Sequence, residues 1–334
     1  MIKKYILCLV LFIEAFVAQA QQDAQYTQYI FNGLHINPAY AGHKEETYIQ
    51  GFDRSQWVGV PGAPKTFALA ADGVINDGNV GLGLILTRDI VGAQSGFSGY
   101  ANYAYRLRLS DDETERLSFG LAAGFVQLGI DGSKLQAVED NDDVILAANE
   151  NVKGADARLG VYYANSKWFM GLSATNLLIK SSAGRRAGTF PVPLPQPHIY
   201  FTAGTLLPVN DVVTVKPVVL LKDDLKGPAS VDINGFVLLG EHVWLGAFYR
   251  SSINLFGRSY LQQNLPQQSA LGGIAEIFVN EGIRIGYSYD YALNALRNYN
   301  SGTHELSVGF YIGRGKNGQS SIYGRDYRPR CYKF

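Results

Sequence analysis

The chain has 334 residues, with 29 Lys and Arg balanced by 29 Asp and Glu. That neutrality, without a basic stripe, excludes a nucleic-acid-binding surface. Two cysteines, Cys8 and Cys331, are too few for a disulfide framework, and no Pro- or Ser-rich linker divides the length into separate domains.

Residues 1–20 read as an export leader. Lys3 and Lys4 open it, Tyr5–Val17 is mostly apolar, and Ala18-Gln19-Ala20 offers a small-x-small cleavage site. Glu14 interrupts the apolar run, which is shorter than the roughly 20 residues a membrane helix needs. Cleavage would remove Cys8 and leave Cys331 as the mature chain's thiol.

Residues 21–45 follow as a segment without strand character, expected in the periplasm. It carries Gln25-Tyr26-Thr27-Gln28-Tyr29-Ile30-Phe31-Asn32 and then Asn37-Pro38-Ala39-Tyr40-Ala41-Gly42. Asn-Pro followed by Tyr-Ala-Gly is turn chemistry, since Pro fixes φ and Gly permits positive φ. Tyr26, Tyr29, Phe31 and Tyr40 require burial, so the segment is expected to lie ordered against the rest of the protein or a partner.

Fourteen stretches rich in Val, Leu, Ile, Phe, Tyr and Gly then run from Glu46 to Gly313, leaving 314–334 as a C-terminal tail. The connections alternate, and strict alternation of long and short is expected. The short ones are Asn76–Gly78, Ser110–Glu115, Ala164–Ser166, Leu207–Asp211, Gly240–Glu241 and Asn280–Glu281; Asp131–Gly154, Leu177–Pro197 and Ser252–Gln268 are long insertions. Tight turns at one end and long loops at the other predict an all-β, transmembrane antiparallel barrel of about fourteen strands, with short periplasmic turns and long extracellular loops. Hydrocarbon cannot satisfy backbone polar groups, so strands that cross it must close on themselves.

Within the stretches, side chains alternate between two faces. In Gly99–Leu109 one face holds Tyr103, Tyr105 and Leu107, while the other holds Asn102, Arg106 and Arg108. In Ile283–Tyr291 one face holds Ile285, Tyr287 and Tyr289, the other Arg284, Ser288 and Asp290. A charge facing lipid at mid-depth costs about 2–4 kcal/mol for Arg or Lys. Arg106, Arg108, Arg158, Lys216, Arg284, Asp290 and Glu305 are therefore assigned to the lumen, as groups that hold a plug or a bound partner. Leu117–Ile130 is apolar or small on both faces, as a strand covered from inside would be.

Catalytic signals are absent from the pattern. There is no Gly-x-Ser-x-Gly elbow and no His-Glu-x-x-His metal motif. The run Glu139–Asp143 reads as a solvated acidic loop whose spacing does not match a calcium loop. No enzyme activity, cofactor or metal is expected.

A second marked stretch, Arg54-Ser55-Gln56-Trp57 followed by Gly62-Ala63-Pro64-Lys65-Thr66, bridges the first two strands. Together with the opening motif it resembles the PorP/SprF family of outer-membrane proteins from the type IX secretion system of Bacteroidota. The residues that carry the resemblance are Gln25, Tyr29, Phe31, Asn32, Asn37, Pro38, Tyr40, Gly42, Gln56, Trp57, Gly62 and Pro64. The resemblance implies residence in the outer membrane, in contact with its lipid. It also implies partnership with the type IX machinery and with cargo proteins that carry a C-terminal sorting domain, among them adhesins used in gliding. A passive channel or porin is the competing reading.

Overall fold

The computed structural model describes residues 25–110, 115–135, 150–183, 192–240, 242–255, 270–280 and 282–312. The proposed leader, the C-terminal tail with Cys331, and the acidic run 139–143 lie outside the described residues.

The strands are β1 (Thr47–Ser55), β2 (Lys65–Ile75), β3 (Val80–Val91), β4 (Gln94–Arg108), β5 (Arg116–Ile130), β6 (Glu150–Ala164), β7 (Trp168–Thr175) and β8 (His198–Thr205). They continue with β9 (Leu207–Pro208), β10 (Val213–Asp223), β11 (Ala229–Leu239), β12 (Val243–Ile253), β13 (Ala270–Asn280), β14 (Ile283–Ala292) and β15 (Thr303–Ile312). β8 and β9 both pair with β10 and form one interrupted strand, so the sheet has fourteen staves. Every neighbouring pair is antiparallel, and β1 pairs with β15 from Thr47↔Ile312 to Ser55↔His304, which closes the sheet into a barrel.

The connections depart from strict alternation. β3 and β4 are joined at the loop end by Gly92 and Ala93 alone, because Gly92 takes a positive φ of 59° and makes a hairpin there. At the same end, residues 224–228 also make a compact connection between β10 and β11. The other end carries the short turns, among them the one around Asn76 and Asp77, both at positive φ. Both β1 and β15 have their terminal ends there.

Side-chain alternation sorts lipid from lumen. Leu69, Leu84, Tyr103, Leu121, Leu172, Ile233, Leu245, Ile285 and Leu306 are exposed on the outer wall. Arg54, Asn102, Arg106, Arg158, Lys216, Asp232, Arg284, Asp290 and Glu305 are buried on the inner one. No helix among the described residues is long and apolar enough to cross a membrane; the strands supply the crossing.

The short-turn end is expected in the periplasm. An epitope inserted between residues 136 and 149 should be labelled on intact cells, and one inserted at Asp77 should be labelled only after the outer membrane is opened. The reverse pattern would invert the orientation.

Candidate functional site

Residues 25–45, expected in the periplasm, pack against the inner face of the strands. They run through the barrel interior as three short 3-10 turns, Gln28–Ile30, Gly33–His35 and Pro38–Tyr40. Burial explains this placement: Tyr29, Phe31, Leu34, Ile36, Ala39 and Tyr40 form one core with Ile85, Tyr162, Phe169, Phe236 and Phe248 of the wall. At about 1.5–3 kcal/mol per fully buried large apolar side chain, this packing favours the enclosed position over a hydrated tail.

The turns are set by local sequence. Asn32 accepts a hydrogen bond from the Leu34 amide at 3.2 Å, and Asn37 accepts one from the Ala39 amide at 2.9 Å. Each caps the turn that follows it. Pro38 occupies the first position of its turn, where no backbone donor is needed, and Gly42 adopts φ 72° at the exit.

The segment enters the described lumen near the loop end, at a buried polar cluster. The Thr27 and Gln28 amides donate to the two Glu305 carboxylate oxygens at 2.9 and 2.6 Å. The Thr27 hydroxyl donates to Asp290 at 2.9 Å and accepts from Arg54 at 2.8 Å. Arg54, 3% exposed, pairs with Glu305 at 2.6 Å and Asp290 at 3.0 Å. Arg250 joins through Asp290 at 3.2 Å and Asp232 at 2.7 Å. With its amide oxygen turned toward Arg250, Gln25 accepts a hydrogen bond there at 3.0 Å.

Further down, Asn234 donates to the Tyr29 hydroxyl at 2.9 Å, and Asn32 donates to Gln50 at 2.9 Å. Ser173 donates to the Ile36 carbonyl at 2.6 Å, Arg158 to the His35 carbonyl at 3.3 Å, and Asn37 to the Val161 carbonyl at 3.1 Å. Near the turn end the Gly42 amide donates to Asp72 at 2.9 Å. Backbone also meets backbone closely. A Cβ at Gly81 would fall 1.9 Å from the Ala41 oxygen, and one at Gly120 would fall 2.1 Å from the Ala39 nitrogen. These two wall glycines make the slot for the Pro38–Gly42 turn.

A second element covers β5 from inside, as its two apolar faces suggested. Ile179 and Ala183 of the loop after β7 pack with Tyr100, Ala122, Val126 and Leu128. Asp156 anchors that loop by accepting from the Leu178 and Ile179 amides at 2.9 and 3.1 Å and from the Tyr100 hydroxyl at 2.8 Å. A cleft of about 100 Å³ remains beside Tyr26, His35, Tyr100 and Arg158, and one of about 20 Å³ beside Tyr29, Tyr40 and Phe169.

Six of the seven residues assigned to the lumen face it. Arg158 also lies 3.6 Å above the Tyr100 ring, Lys216 lies near Trp244, and Arg284 pairs with Glu276 and donates to the Tyr311 hydroxyl at 2.8 Å. Arg106 reaches Glu45 at 3.4 Å and the Gly78 carbonyl at 2.9 Å. Arg108 is the exception. It is exposed at the turn-end rim and bonded to the Asp77 carbonyl, because β4 ends there and its side chain has left the interior.

Gln56, Trp57, Gly62 and Pro64 lie in the loop between β1 and β2, not in the lumen. The Gln56 amide donates to the Pro64 carbonyl at 2.9 Å, the Trp57 amide to Thr303 at 3.1 Å, and the Gly92 amide to the Gly62 carbonyl at 2.8 Å. That loop ties β1 to the loop ends of β3 and β15. Arg250, Glu276 and Asp72 were not singled out from the sequence, and Arg54 was marked only within its motif. Alternation along Val231–Leu239 puts Asp232 and Asn234 on the polar face of their strand. Arg250 was hidden because Trp244 and Phe248, on its own face, look like lipid-facing residues.

Over residues 18–310 the chain matches the model of the family described as type IX secretion system membrane protein PorP/SprF. The chain belongs to the PorP/SprF family. It is thus an outer-membrane β-barrel of type IX secretion. No curated protein matches it. Among solved structures, it is similar to the TodX deltaS2S3 mutant monoaromatic hydrocarbon channel at 12% identity and a TM-score of 0.47, covering 83% of this chain and 92% of that one. It is also similar to Omp33 of Acinetobacter baumannii, at 8% identity and a TM-score of 0.45, over 80% of this chain and 100% of that one. For the KdgM porin the values are 7%, 0.35, 79% and 99%. The barrel itself is established by its own strand pairing.

Two predictions follow from the lumen geometry. Arg54→Met leaves Asp290 and Glu305 buried without their shared cation and should cost about 3–5 kcal/mol, read as a lower denaturant midpoint in detergent. Gly120→Val should expel the Pro38–Gly42 turn from its slot, read as new protease cleavage within residues 33–44, whereas Gly51→Ala, on the open outer wall, should leave that segment resistant.

Proposed function

We propose that this PorP/SprF-family barrel supports the export or surface attachment of cargo proteins with a C-terminal sorting domain, and does not serve as a passive channel. The observation that carries the reading is the filled lumen. Residues 25–44 occupy the barrel axis, and Ile179 and Ala183 cover the inner face of β5. A diffusion pore needs a continuous hydrated path, whereas two clefts beside the plug among the described residues hold about 100 and 20 Å³. With the interior occupied, cargo and machinery are met at the rims: long loops on one side, and short turns with the exposed Arg108 on the other. Surface adhesins used in gliding are cargo of the expected kind.

The test combines two measurements on the full chain. Purified protein in liposomes should admit small sugars no faster than empty liposomes do. Deleting the gene should strip a C-terminally sorted cargo from the cell surface while total cargo synthesis continues. Sugar entry at porin rates, together with undiminished cargo display, would establish the channel reading instead.

A further inference from the structure

The polar anchor of the plug sits across the line where the barrel closes. β1 and β15 are the first and last staves, and Arg54↔Glu305 is one of their registered pairs. Arg54 comes from β1, Asp290 from β14 and Glu305 from β15, and Thr27 contacts all three. Gln28 adds a bond from its side-chain amide to the Glu305 carbonyl at 3.0 Å and accepts from Ser307 at 2.6 Å, both on β15. Further along, Asn32 still reaches β1 through Gln50, while Asn37 is fastened to β6, Gly42 to β2, and Tyr29 to β11.

We propose that the inner face of the β1–β15 seam is a peptide-binding site whose ligand is the Thr27–Gln28 step of the same chain. Binding of that step is what brings the first and last strands into register. The ligand chemistry is specific. Two consecutive main-chain N–H groups meet one carboxylate, and a hydroxyl is held between a guanidinium and a second carboxylate. Without the peptide, Glu305 and Asp290 stand side by side on the neighbouring strands β15 and β14, with Arg54 as their shared cation and Arg250 on Asp290 alone. The Thr27 and Gln28 amides supply the further donors that a buried carboxylate pair requires. Enclosure sets the order of events. Tyr29, Phe31 and Tyr40 are buried in the core, and on this proposal the segment is laid inside before the seam joins.

The test refolds the full chain into lipid and follows closure by the faster gel migration of the unheated, folded barrel. Thr27→Val combined with Gln28→Leu should slow closure by about tenfold, the effect of losing hydrogen bonds to a buried charge. Thr27→Ser, which keeps the hydroxyl, should close at the wild-type rate. Asn37→Ala weakens the plug away from the seam and should also leave the closure rate unchanged. If the double variant does not fold, Ser307→Ala, which removes one seam contact to Gln28, supplies the slower rate to be measured. Wild-type closure in the double variant, or equal slowing by Asn37→Ala, would overturn the proposal, the second result showing that only general packing of the plug matters.

Discussion

A peptide threaded through a barrel must surrender its backbone donors and acceptors to the wall, because the interior supplies little water to satisfy them. The architecture answers that demand residue by residue. Glu305 takes two amides, Asp72 takes one, and Ser173, Arg158 and Asn37 deal with carbonyls of plug and wall. The inward charges of the strands are therefore not a solvated lining. They are the wall's half of a buried hydrogen-bond network, and removing one partner strands the others. The apolar half of the same fit is the aromatic core around Tyr29, Phe31 and Tyr40.

Much of the fold was legible because a membrane makes alternation obligatory. Arg106, Arg158, Lys216, Arg284, Asp290 and Glu305 could point only inward, and they do. The turn at Asn37–Gly42 was legible from Pro and Gly chemistry. The destination of that turn was not. Three 3-10 turns carry no periodicity that distinguishes a periplasmic cap from a plug, and the clue, four aromatics in a strandless segment, said only that they must be buried. The strands that line the plug also lost their signal. β12 is apolar on both faces, with Trp244 and Phe248 inside and Leu245 and Tyr249 outside, so its inward Arg250 was overlooked. β5 has the same double face, and there the inference of internal cover agrees with the packing of Ala39, Ile179 and Ala183. Arg54 was visible only as part of a motif, because nothing in a linear reading places it opposite Glu305.

The direction of the plug matters for function. Its first described residues sit near the loop end beside Arg54 and Arg250, and its last, Gly42 to Glu45, sit near the turn end beside Asp72 and Arg106. The chain therefore traverses the lumen before β1 begins, and among the described residues it takes up the barrel axis. On the proposed function, a barrel filled in this way meets its partners at its two rims.

Backbone hydrogen exchange of residues 28–42, measured on the protein in lipid, tests the central claim most directly. If the segment is the internal plug, its bonded amides at Gln28, Leu34, Ala39 and Gly42 should exchange as slowly as the paired amides of β4 and β5. Complete exchange of all four within the first seconds, while the strands stay protected, would show a hydrated tail and contradict the account.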